Sequence, residues 1–382
     1  MTSNSAHKAM GIVAEYNPFH QGHRFLIEES RRALGVDICV SVMSGPFSQR
    51  GYPCLYDKWT RAEAAVRGGV DLVVELPVIY ATGNAEVFAK GAVSVLEGFG
   101  GIDYLVFGSE CGDLESLRRT KQFLSDHDDE INQMAARLQR KGESFPKARE
   151  HACTAIDPAF DSSLLREPNN ILALSYMKWT DRMEPFTIKR TGEGYHETGS
   201  VLREQVFQRE PNRLRRMETA YFDLVRLCLL RMSEEELSCI AGAEGGLGNK
   251  LRKELIHAAD LEDLIERTKS KVYTRTRVSR LLNHVLLGIT NRLTENAAPY
   301  IRILGFNRRG ASFLKSCIQR ELVSLPVLTN PKKAKEKDPT LLPWIEKDIL
   351  ATQLYALITE QDLYRNHDFV HSPIIVEEEP TK

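Results

Sequence analysis

What is scarce in this chain narrows its class. Its seven cysteines in 382 residues are scattered, odd in number and never spaced C-x-x-C. That pattern argues against a disulfide framework and a zinc ribbon, and fits reduced thiols in the cytoplasm. No apolar run approaches the roughly 18 residues that a membrane helix needs. The opening MTSNSAHKAM lacks the apolar core of a signal peptide, so residues 1–9 read as a flexible leader. Net charge is also lacking: 51 Lys and Arg stand against 52 Asp and Glu, for a total of −1. Bulk charge therefore announces no nucleic-acid partner, and any such site has to be a local patch. There is no internal repeat and no acidic metal motif.

What is present is an alternation of apolar runs and helical patterns over the first ~110 residues. MGIVAEY (10–16), DICVSVMS (37–44), VDLVVELP (70–77) and IDYLVFGSE (102–110) read as strands. Between them, 22–35, 57–69 and 84–100 read as helices, with Asp57 as one cap and Gly35 as one stop. Continuous apolar strands are those covered on both faces. The fold class expected is thus α/β, a doubly wound, Rossmann-like parallel sheet, with one more strand at 185–192. Beyond ~210 the strand signals fade and amphipathic helices take over; TNPKKAKEKDPT (329–340) reads as an exposed loop. The expected division is 10–210 as the α/β domain and 211–382 as a mainly helical one.

EYNPFHQGH (15–23) joins the first strand to the first helix. His20 and His23 then sit at a helix N-terminus, where free N–H groups and the helix dipole favour an anion. Two added imidazole donors suit a polyphosphate, and Gly22 would let a purine approach the backbone. Metal ligation by the pair is the weaker reading, because two ligands are too few. Arg50 and Lys58 flank the next strand's loop as candidates to neutralise a small anion.

A strand followed by H-x-G-H opening a helix resembles the nucleotidyltransferase superfamily. TGSVLR (198–203) resembles that superfamily's second signature, with Thr198, Ser200 and Arg203, although Gly199 replaces a usual hydroxyl. Longer stretches narrow the likeness. GIVAEYNPFHQGH, MSGPFSQRG, DKWTRAEAAVRGGVDLVVELP, DYLVFGSE, PNNILALSY, IKRTGEGYH and YTRTRVSRLL, in that order, resemble the tRNA(Met) cytidine acetate ligase family. RILGFNRRG (302–310) extends the likeness into the helical part, and Pro46 stands where the family usually has asparagine.

That resemblance implies activation of acetate by ATP to acetyl-adenylate, then acetyl transfer to N4 of the wobble cytidine of elongator tRNA(Met). It implies ATP as the cofactor, with Mg2+ accompanying it, and tRNA and acetate as partners. His20 and His23 become the catalytic pair. The ATP-binding set implied is Val13, Ala14, Glu15, Tyr16, Asn17, Pro18, Phe19, His20, Gln21, Gly22 and His23. Gly108, Asn169, Asn170, Arg190, Ser200 and Arg203 complete it.

For the RNA, KSKVYTRTRVSR (269–280) carries Lys269, Lys271, Arg275, Arg277 and Arg280 without an acid, with Tyr273 among them to stack on a base. The second basic run, Lys332 to Lys337, reads as a solvated face. Two other functions stay open on the residues alone. One is an adenylyltransferase for a small phosphorylated acceptor; the other is a non-catalytic nucleotide-sensing RNA-binding module.

Overall fold

Alternate residues of the central strands face two different apolar cores. Val40 and Val42 pack with Leu72, Val74 and the helix Ala85–Glu97 on one side. Cys39, Met43 and Val73 pack with Ile27, Ala65 and Val66 on the other. A strand with both faces buried is apolar along most of its length, which is why these runs show no regular polar alternation.

The computed structural model describes residues 7–190, 199–363 and 365–377. Its strands are β1 Ala9–Ala14, β2 Ile38–Ser44, β3 Leu72–Leu76, β4 Tyr104–Ser109, β5 Glu184–Lys189, β6 Ile301–Phe306, β7 Val327–Leu328 and β8 Ile374–Ile375. They form one sheet in the order β5-β4-β1-β2-β3-β6-β7, with β8 also on β6. The first five strands are parallel, as the alternation predicts. From β1 the chain builds outward to β2 and β3, then returns to add β4 and β5 on the opposite side. The order therefore reverses between β1 and β4, and the crevice beyond their carboxyl ends is where such sheets hold ligands.

Two expectations for the second half are corrected. The segment RILGFNRRG holds β6, which pairs antiparallel with β3 and extends the first half's sheet. Only six residues long and far from its partner in sequence, it gives little local signal. Residues 329–340 hold the helix Pro331–Lys337, capped by Asn330, and a 3-10 turn at Pro339–Leu341. Of the leader, residues 1–6 lie outside the described residues, and Ala9 is already the first, fully buried residue of β1.

A buried ring of charge fastens the late segments to this sheet. Lys58 Nζ meets Glu75 Oε1 at 2.8 Å and Asp368 Oδ1 at 2.7 Å. Arg302 closes the ring, with 2.9 Å to Glu75 Oε2 and 2.6 Å to Asp368 Oδ1. Two cations and two carboxylates thus balance in a dry place, the arrangement that makes buried charge tolerable. Beside them Asp348 accepts from the Val78 N–H at 2.7 Å and from Tyr300 Oη at 2.6 Å.

Candidate nucleotide site

The turn after β1 is pinned from several directions. Tyr16 adopts φ +46°, a backbone region that a bulky residue rarely enters, and its ring is buried in the core. Ser41 Oγ donates to the Tyr16 hydroxyl at 2.9 Å. Glu15 Oε1 accepts the Gln49 N–H at 2.8 Å, and Asn17 Oδ1 accepts the Leu55 N–H at 2.8 Å. Arg61, buried, donates to the carbonyls of Glu15 at 2.7 Å and Ser44 at 3.0 Å. The turn and the 45–55 loop are therefore one unit.

His20 is the N-cap of the helix Gln21–Leu34, with an extended backbone. The Gly22 N–H donates to His20 Nδ1 at 3.1 Å, and the His20 N–H donates to His23 Nδ1 at 3.2 Å. This is a capping box built from two imidazoles. Because both Nδ1 atoms accept, each neutral ring carries its proton on Nε2. The rings stack with centroids 3.7 Å apart. The second ring also stands edge-on to Tyr16, 4.9 Å away. Burial, then the nearby guanidinium groups of Arg190 and Arg203, hold His20 down to about 4. Burial, then His20 and Arg190, hold His23 well below its ordinary value. The pair thus offers two neutral N–H donors at a helix N-terminus, suited to phosphoryl oxygens and unsuited to donating a full proton.

A Cβ on Gly22 would lie 3.0 Å from His20 Cε1. The glycine therefore makes room for the capping ring, a physical reason that the motif alone does not disclose. At the end of β4, a Cβ on Gly108 would lie 3.0 Å from Arg190 Cγ, so this glycine lets Arg190 cross the sheet edge toward the histidines. Arg203 Nη1 donates to the Asn17 carbonyl at 3.0 Å, binding the helix Gly199–Arg209 to the turn.

His20, His23, Arg190 and Arg203 are thus brought together, with Gly22 and Gly108 as space makers. Val13 and Ala14 are the last two residues of β1, and Gln21 is exposed at the helix start. The rings of Tyr16 and Phe19 both pack against the His23 imidazole, with centroids 4.9 and 5.5 Å away. Tyr16 is core, and Phe19 packs over Gly68, where a Cβ would come within 2.2 Å of it. Pro18 follows a cis peptide bond within the turn. Asn169 donates to Glu110 Oε1 at 2.6 Å, and Asn170 Oδ1 accepts the N–H groups of Glu110 and Cys111 at 3.0 and 3.2 Å. The pair therefore positions the turn after β4. Thr198 lies outside the described residues; Ser200 is the second residue of its helix.

Lys58 is corrected: locked in the buried charge ring, it cannot reach acetate or pyrophosphate. Sequence reading missed Arg61 and Glu110. Arg61 interrupts the buried face of the helix Lys58–Arg67, a signal that was available; Glu110 gave none.

The basic stretch 269–280 differs from its reading as free charge. Arg275 pairs with Glu262, and with Glu266 at 3.2 Å, and Lys269 pairs with Glu266. These acids come from the helix Leu261–Thr268. Arg277 lies 5.5 Å over the Tyr273 ring and donates to the Glu244 carbonyl at 3.1 Å. Arg280 does not project freely into solvent; it is half-buried, and desolvation holds it down to about 10. Lys271 remains exposed.

Next to the turn opens a cavity of about 400 Å³, between the 45–55 loop and the helices Gly199–Arg209, Pro211–Arg231 and Leu261–Thr268. Glu15, Asn17 and Arg203 belong to its wall as well as to the turn.

The HIGH Nucleotidyl Transferase family model matches residues 7–368. A tRNA(Met) cytidine acetate ligase of Caldicellulosiruptor saccharolyticus is 34% identical over 97% of this chain and 99% of its own. One of Caldanaerobacter subterraneus subsp. tengcongensis is 36% identical over 96% and 99%. The crystal structure of Thermotoga maritima TmcAL bound with alpha-thio ATP is 31% identical, with a TM-score of 0.86 over 97% of this chain and 100% of that one. By family match and by end-to-end likeness, the chain belongs to the tRNA(Met) cytidine acetate ligase family of HIGH nucleotidyl transferases.

Proposed function

We propose that this chain activates acetate with ATP and passes the acetyl group to N4 of the wobble cytidine of elongator tRNA(Met). An acetate oxygen attacks the α-phosphorus; the new P–O bond forms as the bond to the β-phosphate breaks, and pyrophosphate leaves with the electron pair. Acetate is already ionised, so no base is needed, and the barrier lies in placement and charge. The Nε2–H groups of His20 and His23 meet the α-phosphoryl oxygens, while Arg190 and Arg203 balance the remaining charge. The observation that carries this reading is the pair of neutral imidazoles at a helix N-terminus, placed where the strand order reverses.

The rest of the ATP-binding set serves this reading by position: Glu15 and Asn17 fix the turn, Asn169 and Asn170 the loop after β4, and Ser200 opens the helix that carries Arg203. Among the described residues no three His, Cys, Asp or Glu side chains stand together as a metal cage. Magnesium accompanies ATP, held through its phosphate oxygens. Residues 10–210 activate acetate, and residues 211–382 hold the RNA while lending three strands to the sheet. Lys269, Lys271, Tyr273, Arg275, Arg277 and Arg280 are the RNA-facing candidates, with Lys271 the most open to a phosphate. The place of action is the cytoplasm, with the tRNA.

The test is exchange of labelled pyrophosphate into ATP, with and without acetate and with tRNA added. Acetate-dependent exchange supports the ligase. Exchange that requires a phosphorylated acceptor points instead to an adenylyltransferase, and ATP binding without exchange points to a sensor.

A further inference from the structure

The cavity beside the turn has an apolar floor and a charged rim. Leu55, Leu214, Met217, Tyr221 and Leu261, all buried, make the floor. Arg50, Arg203, Phe207 and Glu218 stand on the rim, and Phe207 is 52% exposed. A flat heterocycle with a polar edge fits that division, since its faces meet apolar atoms while its edge meets charge.

We propose that this cavity receives the cytosine to be acetylated, with Phe207 stacked on the base and the Glu218 carboxylate taking a hydrogen bond from its N4 amine. The assignment rests on reading the chain as an acetate ligase, and it adds the acceptor site to that reading.

Continuity with the phosphate turn supports it. Arg203 lines the cavity, donates to the Asn17 carbonyl and lies close enough to His20 to depress its basicity. A base in the cavity therefore adjoins the acetyl group of an adenylate held at the histidines. Charge supports it too. Cytosine presents an amine where uracil presents a carbonyl oxygen. A carboxylate there welcomes the first and repels the second. Glu218 is pushed above the ordinary carboxylate range by desolvation around its head and by Asp260 and Glu262, against the opposing pull of Arg275. It is thus a better proton acceptor than a freely solvated glutamate.

The transfer balances in one step. The N4 lone pair forms the bond to the acetyl carbon, and the bond from that carbon to the phosphate oxygen breaks. AMP leaves with the electron pair. The proton lost from N4 passes to the Glu218 carboxylate and then to water.

The two half-reactions separate this site from the adenylating one. Phe207→Ala and Glu218→Gln are assayed for acetate-dependent pyrophosphate exchange and for acetyl transfer to a tRNA with cytidine at the wobble position. Exchange is expected to stay within about twofold of the unmodified protein. Phe207→Ala should raise KM for tRNA about tenfold, the loss of one stacked base, and Phe207→Tyr should restore it. Glu218→Gln should lower kcat of transfer about a hundredfold with little change in KM. Undiminished transfer in both variants overturns the site, as does parallel loss of exchange and transfer. Absence of exchange in the unmodified protein would instead refute the ligase reading itself, and it is read in a separate assay.

Discussion

The imidazoles of His20 and His23 stack 3.7 Å apart, their planes inclined by 26°. Each ring serves the backbone with Nδ1 and so carries its proton on Nε2, the donor proposed for phosphate. His20→Asn separates these two duties, because asparagine is itself a favoured N-cap. Urea unfolding of the variant should stay within about 1 kcal/mol of the unmodified protein. Pyrophosphate exchange should fall about a hundredfold or more, the loss of one aimed donor. If stability collapsed while the residual exchange per folded molecule stayed normal, the ring would be a structural cap and nothing else.

Asp348 makes stability depend on pH in an unusual sense. Burial, then the Glu75 carboxylate, pushes its carboxyl up to about 7. Between its ordinary value near 4 and that value, the folded protein holds a proton that the unfolded chain has lost. Its contribution is therefore full at low pH and declines as pH rises through 4 to 7. Asp348→Asn keeps an acceptor for the Val78 N–H and removes the titration. The difference in melting temperature, variant minus unmodified, should grow more positive from pH 5 to pH 8. A flat difference would refute this.

Lys58→Met leaves Glu75 and Asp368 with Arg302 as their remaining cation in the ring. Removing one partner from a buried ion network costs about 3–5 kcal/mol. Chemical denaturation should show a loss of that size, accompanied by easier proteolysis near residues 367–375, which the ring holds to the sheet. A loss below about 1 kcal/mol would place Lys58 in contact with water.

Gly51→Ala tests the joint between the two halves of the chain. Gly51 has φ +90°, and a Cβ there would lie 2.3 Å from the carbonyl carbon of Ser279. Backbone cannot yield as a flexible side chain can, so the loop and the helix Arg275–Leu287 must part. A stability loss of about 2 kcal/mol or more is expected. Exchange and acetyl transfer should both fall, since the 45–55 loop walls the cavity and is tied to the histidine turn through Gln49 and Leu55. A variant as stable as its parent would show that the contact is loose.

Much of this architecture follows from short-range pattern. The five parallel strands, the Asp57 cap and the Gly35 stop at φ +59° are local events, announced by side-chain periodicity and by the capping residues themselves. The histidine pair is legible for the same reason: one strand end, one turn and one helix start place both rings. β6 was not legible. Its six residues become a strand through pairing with β3, more than 220 positions earlier, and nothing within 301–306 states that partner.

Chain order by itself determined the two-imidazole cap at residues 15–23, because helix start, cap and both rings are all set within nine residues. Tertiary packing alone decided which distant charges would count. It drew Arg190 and Arg203 to the histidines, cancelled Lys58 and Arg275 against carboxylates from other elements, and folded the 45–55 loop over helices to leave a hollow. Charge acts through space and desolvation depends on what lies overhead, so neither can be read from neighbours along the chain.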